Sequence, residues 1–131
     1  GAVEAEIVLA EALDESAFYG LGDFSHVEVL FLMHQVDPMK VETRARHPRE
    51  RADWPLVGIF AQRGKARPNR IGLTRAAIVS VEGRVLTVRG LDAIDSTPVL
   101  DVKPWMDDFA PIGATRQPAW ATELMRDYFK D

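Results

Sequence analysis

Ala76-Ala-Ile-Val-Ser-Val-Glu-Gly-Arg-Val-Leu-Thr-Val-Arg89 is the stretch whose reading decides the fold. Two runs rich in β-branched residues, Ala76 to Val81 and Arg84 to Arg89, flank Glu82-Gly83. A two-residue connection with glycine to supply a positive φ predicts a tight β-hairpin. Upstream, His26 to His34 is a β-branched and aromatic run with apolar residues on both faces, the pattern of a central strand. Val3, Ala5, Ile7 and Leu9 alternate with Glu4, Glu6 and Val8, as in a half-buried strand. Val57 to Ala61 and Pro98 to Val102 read as further short strands, and Asp37 to Pro55 as a long Pro- and Arg-rich loop. Only the end is helical in pattern: Pro118 suits a first turn, and Trp120, Leu124 and Tyr128 recur every four residues. The expectation is a mainly β fold, a small β-barrel or strongly bent sheet with a C-terminal helix, rather than a doubly wound α/β fold.

At 131 residues the chain is read as one domain, with the barrel over about residues 1–105 and a C-terminal segment over 106–131. Hydrophobic content of 47% beside 27% charged residues is ordinary globular composition, which excludes a collagen-like, disordered or coiled-coil chain. The longest apolar run, Val29 to Met33, is far below the ~20 residues of a membrane span, so no membrane partner and a cytoplasmic location are expected. Absence of cysteine removes disulfide, Cys-zinc, iron–sulfur and thiol chemistry. No GxGxxG or GxxxxGK[ST] passage supports a dinucleotide or P-loop site.

The net charge of −4 conceals an asymmetry. Residues 1–39 hold eight acids and no Lys or Arg, whereas residues 40–75 hold ten basic residues against three acids. Such a segment makes a local anion-binding face, or a solvated loop whose charges pair with the acidic first third.

Two passages carry candidate chemistry. In Arg67-Pro-Asn-Arg-Ile-Gly-Leu-Thr74, Pro68, Asn69 and Gly72 favour a rigid turn presenting Arg67 and Arg70, either to an anion or merely as a lead into the next strand. Leu91 to Trp105 places Asp92, Asp95 and Asp101 near Thr97 and Lys103, a set suited to acid–base work or to ordinary turn capping; no metal is expected. His26, His34 and His47 are too scattered for a zinc motif. His34 ends an apolar strand, where a polar residue marks either the rim of a site or a structural hydrogen bond.

Phe24-Ser-His-Val-Glu-Val-Leu-Phe-Leu-Met-His-Gln35, Phe60-Ala-Gln-Arg63, the RPNRIGLT passage and GLDAIDSTPVLDVKPW together resemble the signature of the TsaA/TrmO family of YaeB-like proteins, over about Gly1 to Trp105. The resemblance implies a compact β-barrel working as a homodimer, with S-adenosyl-L-methionine bound near the subunit interface. It implies methyl transfer to N6 of a threonylcarbamoyl-modified adenosine beside the tRNA anticodon. Carried over by motif position, the cofactor contacts are His34, Gln35, Arg63, Leu73, Arg89, Gly90, Leu91 and Asp92. Arg67, Asn69, Asp95, Thr97, Asp101 and Lys103 are further signature positions. Asp95 is the candidate catalytic acceptor that draws N6–H out of conjugation, with a purely turn-forming role as its alternative. Arg44, Arg46, Arg49 and Arg51 are candidate contacts to tRNA phosphates. A cofactor-binding sensor without turnover and a small-metabolite methyltransferase are the alternative functions. The sequence departs from the family at two turns, reading Arg70 where RPNP is common and Ser96 where DGTP is common. It also starts at the strand that comes second in the family and is expected to lack the C-terminal domain of longer relatives.

Overall fold

Among the described residues seven strands, β1 (Glu4–Val8), β2 (His26–Leu32), β3 (Ala45–Arg46), β4 (Val57–Gly58), β5 (Ile71–Glu82), β6 (Val85–Arg89) and β7 (Val99–Pro104), precede one helix, α1 (Ala119–Met125). The computed structural model describes residues 3–93 and 95–126, so Tyr128 of the expected helical repeat lies outside the described residues. Five strands form one antiparallel sheet in the order β1-β6-β5-β2-β7, and β3 pairs with β4 separately.

Alternation builds this sheet. In β2, Val27, Val29 and Phe31 are buried while His26, Glu28, Leu30 and Leu32 face the other way half-covered, and β2 is paired on both sides as its doubly apolar pattern predicts. Ile7, Ala76, Leu86 and Val88 bring β1, β5 and β6 into the same core, and Phe18 closes it from a 3-10 turn at Glu15–Phe18. Burying each large aliphatic side chain here contributes roughly 1.5–3 kcal/mol before conformational entropy is counted. Gly72 sits against Phe31, and a Cβ at that position would clash with the edge of the ring, so this packing favours glycine there.

The mainly β class with a C-terminal helix holds, but the barrel does not close. Among the described residues β1 pairs only with β6 and β7 only with β2, so no ladder joins the two edges there and the sheet stays open. Smaller departures have local causes. The β5–β6 turn is Gly83-Arg84, one residue later than expected, because Glu82 still pairs with Val85 and Gly83 carries the positive φ of 61°. After β4 the chain turns into a 3-10 segment at Ile59–Ala61 that buries Ile59. The expected long loop holds β3 and two 3-10 turns led by Pro38 and Pro48, both prolines at a first helical position.

Candidate functional site

The motif-bearing segments converge where β2 ends and β5 and β7 begin. Leu32 N–H donates to Pro98 O at 2.9 Å and Met33 N–H to Arg70 O at 2.7 Å, which ties the residues after β2 to both the DSTP and the RPNR passages. The RPNR turn is closed by Arg70 N–H on Arg67 O at 3.0 Å. Its two arginines reach backbone carbonyls: Arg67 Nη1 donates to Gln62 O (2.8 Å) and Gly64 O (3.2 Å), and Arg70 Nη1 to Val36 O (3.1 Å). Arg63 Nη2 donates to Leu73 O at 2.9 Å. Thus Arg63 ties the FAQR loop to β5 and Arg67 ties that loop to the RPNR turn, and the structural reading of this turn accounts for the Arg67 and Arg70 donors.

His34 and Gln35 stand at the tip of this cluster. Gln35 is exposed, whereas His34 is half-buried and its Nδ1 is buried with no hydrogen-bond partner. A buried polar nitrogen left so is costly and marks a place built for a partner. Beside it, Ile71 and Leu73 leave apolar surface 40% and 42% exposed. Asn69 and Asp95 are exposed, and Thr97 is half-buried. Arg70 and Ser96, the two departures from the family pattern, both take left-handed backbone, with φ of 52° and 64°. Proline cannot adopt the first of these angles, so this turn differs in shape from an RPNP turn.

The remaining signature residues are spread more widely. Arg89 pairs with Ala77, which faces His26 at the start of β2, so it lies about 20 Å along the sheet from Leu32. Arg89 also donates to Glu4 Oε2 at 2.8 Å, and Gly90 turns away with φ 91°. Leu91 and Ala93 pack against the core and Asp92 is exposed. Asp95, Ser96 and Thr97 lead into Pro98 at the first corner. Asp101 and Lys103 lie on the face of β7 opposite Leu30 and Glu28, 3.3 Å from one another.

The basic segment forms a second small cluster. Pro48, Trp54 and Ile59 are buried with Gln62, whose Nε2 donates to Arg46 O (3.0 Å) and Val57 O (3.1 Å). Trp54 O lies 2.6 Å from His47 Nδ1, and Trp54 Nε1 donates to Glu123 Oε2 of α1 at 2.8 Å. Arg51 stacks over Trp54 at 3.8 Å and donates from Nε to Asp53 at 3.0 Å. Hydrogen bonding to Arg51 holds the Asp53 carboxyl below its ordinary range, and the same bond raises Arg51. Arg44 and Arg49 are exposed, and Arg46 is half-buried with Nε unpartnered. Among the described residues none of these four arginines pairs with an acid of residues 1–39; the link between the two charge blocks is Arg75 to Glu28 at 3.6 Å. Gln62 and the Trp54–Glu123 bond were invisible in sequence, since partners up to 69 residues apart leave no local signal.

Two concavities of about 320 and 510 Å³ adjoin Phe18 to Gly20, and the first is also lined by Phe24, Val102 and Pro104 of the signature passages. Among the described residues no three His, Asp or Glu side chains gather as metal ligands, and no helix is long and apolar enough to cross a membrane.

Residues 1–110 match the family described as the tRNA-methyltransferase O N-terminal domain. The chain belongs to this family. It is 40% identical to a mouse tRNA (adenine(37)-N6)-methyltransferase over 95 residues, which is 72% of this chain and 22% of that protein. A probable S-adenosyl-L-methionine-binding protein of Methanothermobacter thermautotrophicus is 38% identical over 111 residues, 84% of this chain and 75% of its own length. A crystal structure of TrmO superposes with a TM-score of 0.70 at 31% identity, over 88% of this chain and 49% of that one. TrmO from Pseudomonas aeruginosa gives 0.67 at 30%, over 86% and 46%. This TrmO-family chain therefore spans about half the length of the solved TrmO structures and a smaller part of the mouse enzyme.

Proposed function

We propose that this chain binds S-adenosyl-L-methionine at the His34 end of the sheet and methylates N6 of a threonylcarbamoyl-adenosine beside the anticodon of tRNA, in the cytoplasm and as a homodimer. The observation that carries the reading is the unpartnered, buried Nδ1 of His34, set among motif segments that hydrogen bonds draw together. The residues present fit such a ligand. His34 and Gln35 offer polar groups at a turn tip, Leu73 offers an apolar face for a base, and Asp92 an acceptor for ribose or amine. Arg63 joins the His34 corner, whereas Arg89, Gly90, Leu91 and Asp92 stand at the second corner, about 20 Å along the sheet, and would meet the same ligand from a second copy of the chain.

The bound cofactor supplies a methyl group on a positive sulfur, so the protein's task is orientation and electrostatics rather than a nucleophile. Asp95 is the proposed acceptor for the N6–H of adenosine, which would free the lone pair from conjugation. Arg44, Arg46 and Arg49 are proposed to track tRNA phosphates. Arg51 is the weakest of that group, because Asp53 and Trp54 already engage it. A homodimer agrees with the open edges β1 and β7, with Leu100 52% exposed, and with motif residues lying at the surface, where a second copy would complete the pocket.

A second reading, a cofactor-binding protein without turnover, is favoured by the archaeal relative, a probable S-adenosyl-L-methionine-binding protein that this chain spans over 75% of its length. Incubation with labelled cofactor and bulk tRNA, followed by nucleoside analysis, separates the two. Label in an N6-methylated, threonylcarbamoyl-modified adenosine is the expected result; saturable cofactor binding with unlabelled tRNA would establish the second reading instead.

A further inference from the structure

Met33 to Val36 is a β-turn, closed by Val36 N–H on Met33 O at 3.2 Å, with His34 and Gln35 in its two central positions. One residue grips both ends of it. Arg70 O accepts Met33 N–H at 2.7 Å, while Arg70 Nη1 donates to Val36 O at 3.1 Å. The double grip uses backbone that non-glycine residues seldom adopt, at φ 52°. Strained backbone persists where surrounding bonds over-determine it, and here those bonds converge on the turn that carries the unpartnered His34 nitrogen.

We propose that Arg70 is a positioning residue that presents His34 and Gln35 to the cofactor in one fixed arrangement. This deepens the function proposed above and rests on it. The guanidinium acts through the turn without touching the ligand. A turn held at one end only would sample several arrangements, and ordering it on binding would be charged against affinity. Held at both ends, it meets the ligand already ordered.

Two variants separate positioning from general stability. Arg70→Gly keeps the left-handed backbone accessible and retains the Met33 bond, but removes the grip on Val36. Arg70→Lys keeps a cation and a donor at that position. We expect Arg70→Gly to melt close to the parent protein, to bind S-adenosyl-L-methionine about tenfold more weakly by calorimetry, and to shift the ligand-free ring resonances of His34. Arg70→Lys should restore most of the affinity and the resonances. Parent-like affinity in Arg70→Gly, or unchanged His34 resonances, overturns the proposal. So does a fall in affinity that merely follows a fall in melting temperature. If the parent protein itself binds no cofactor, the functional reading fails, while the ligand-free His34 resonances still decide whether Arg70 holds the turn.

Discussion

The five-stranded sheet is dry where it packs, whereas the segment from Asp37 to Arg67 is held largely by polar side chains that reach carbonyls and carboxylates. In the sheet, Val27, Val29, Leu86 and Val88 are fully buried, and the backbone pairs with itself in regular ladders. In the segment, two strands of two residues each provide little ladder, and Gln62, Arg67, His47 and Arg51 provide the connections instead. Apolar packing is non-directional and needs only the right residue on the right face. Polar lacing needs a particular donor at a particular distance, so a single lost group exposes its partner.

The sharpest way to break the sheet is Leu86→Ala. Truncating this fully buried leucine of β6 leaves a cavity, and we expect a loss of about 2–5 kcal/mol in urea unfolding. Loss below 1 kcal/mol would mean that the core is looser than its burial indicates. Gln62→Ala tests the other region. It removes two hydrogen bonds to the carbonyls of Arg46 and Val57, at a cost of about 1–3 kcal/mol. Faster amide exchange should be confined to residues 45–62; exchange that rises equally in β2 and β5 would show that the two regions unfold as one.

The smallest effect concerns charge. The Asp53 carboxyl lies below its ordinary value near 3.8, because Arg51 hydrogen-bonds to it. Its contribution is therefore fully present above that value and lost as pH falls through the lowered one. Asp53→Asn should flatten the acid limb of stability against pH slightly and leave neutral stability nearly unchanged, since both partners are solvent-exposed. An acid limb identical to the parent's would remove the pair from any account of this segment.

The same contrast governs what could be read in advance. β2 and the β5–β6 hairpin were legible because each depends on residues within one run, through alternation and a turn glycine. The turn sits one residue beyond Glu82-Gly83 because both Glu82 and Arg84 suit a turn, and only the Glu82–Val85 pairing decides between them. The loop beginning at Asp37 was opaque because Gln62 and Arg67 act at carbonyls whose positions no local pattern specifies. For the candidate site, the motifs named residues without their geometry. His34 and Arg70 are separated by 36 positions, and only the pairing of β2 with β5 brings them together.

By itself the sequence determined a mainly β chain, the strands of its main sheet and the family to which it belongs, because alternation, turn residues and motif order are properties of short stretches. Tertiary structure alone decided that the sheet stays open, that Arg89 stands a strand's length from the His34 turn, and that Arg67 and Arg70 serve carbonyls. Those outcomes depend on which strands pair and in what register, and pairing is fixed by burial and hydrogen bonding summed over the whole sheet.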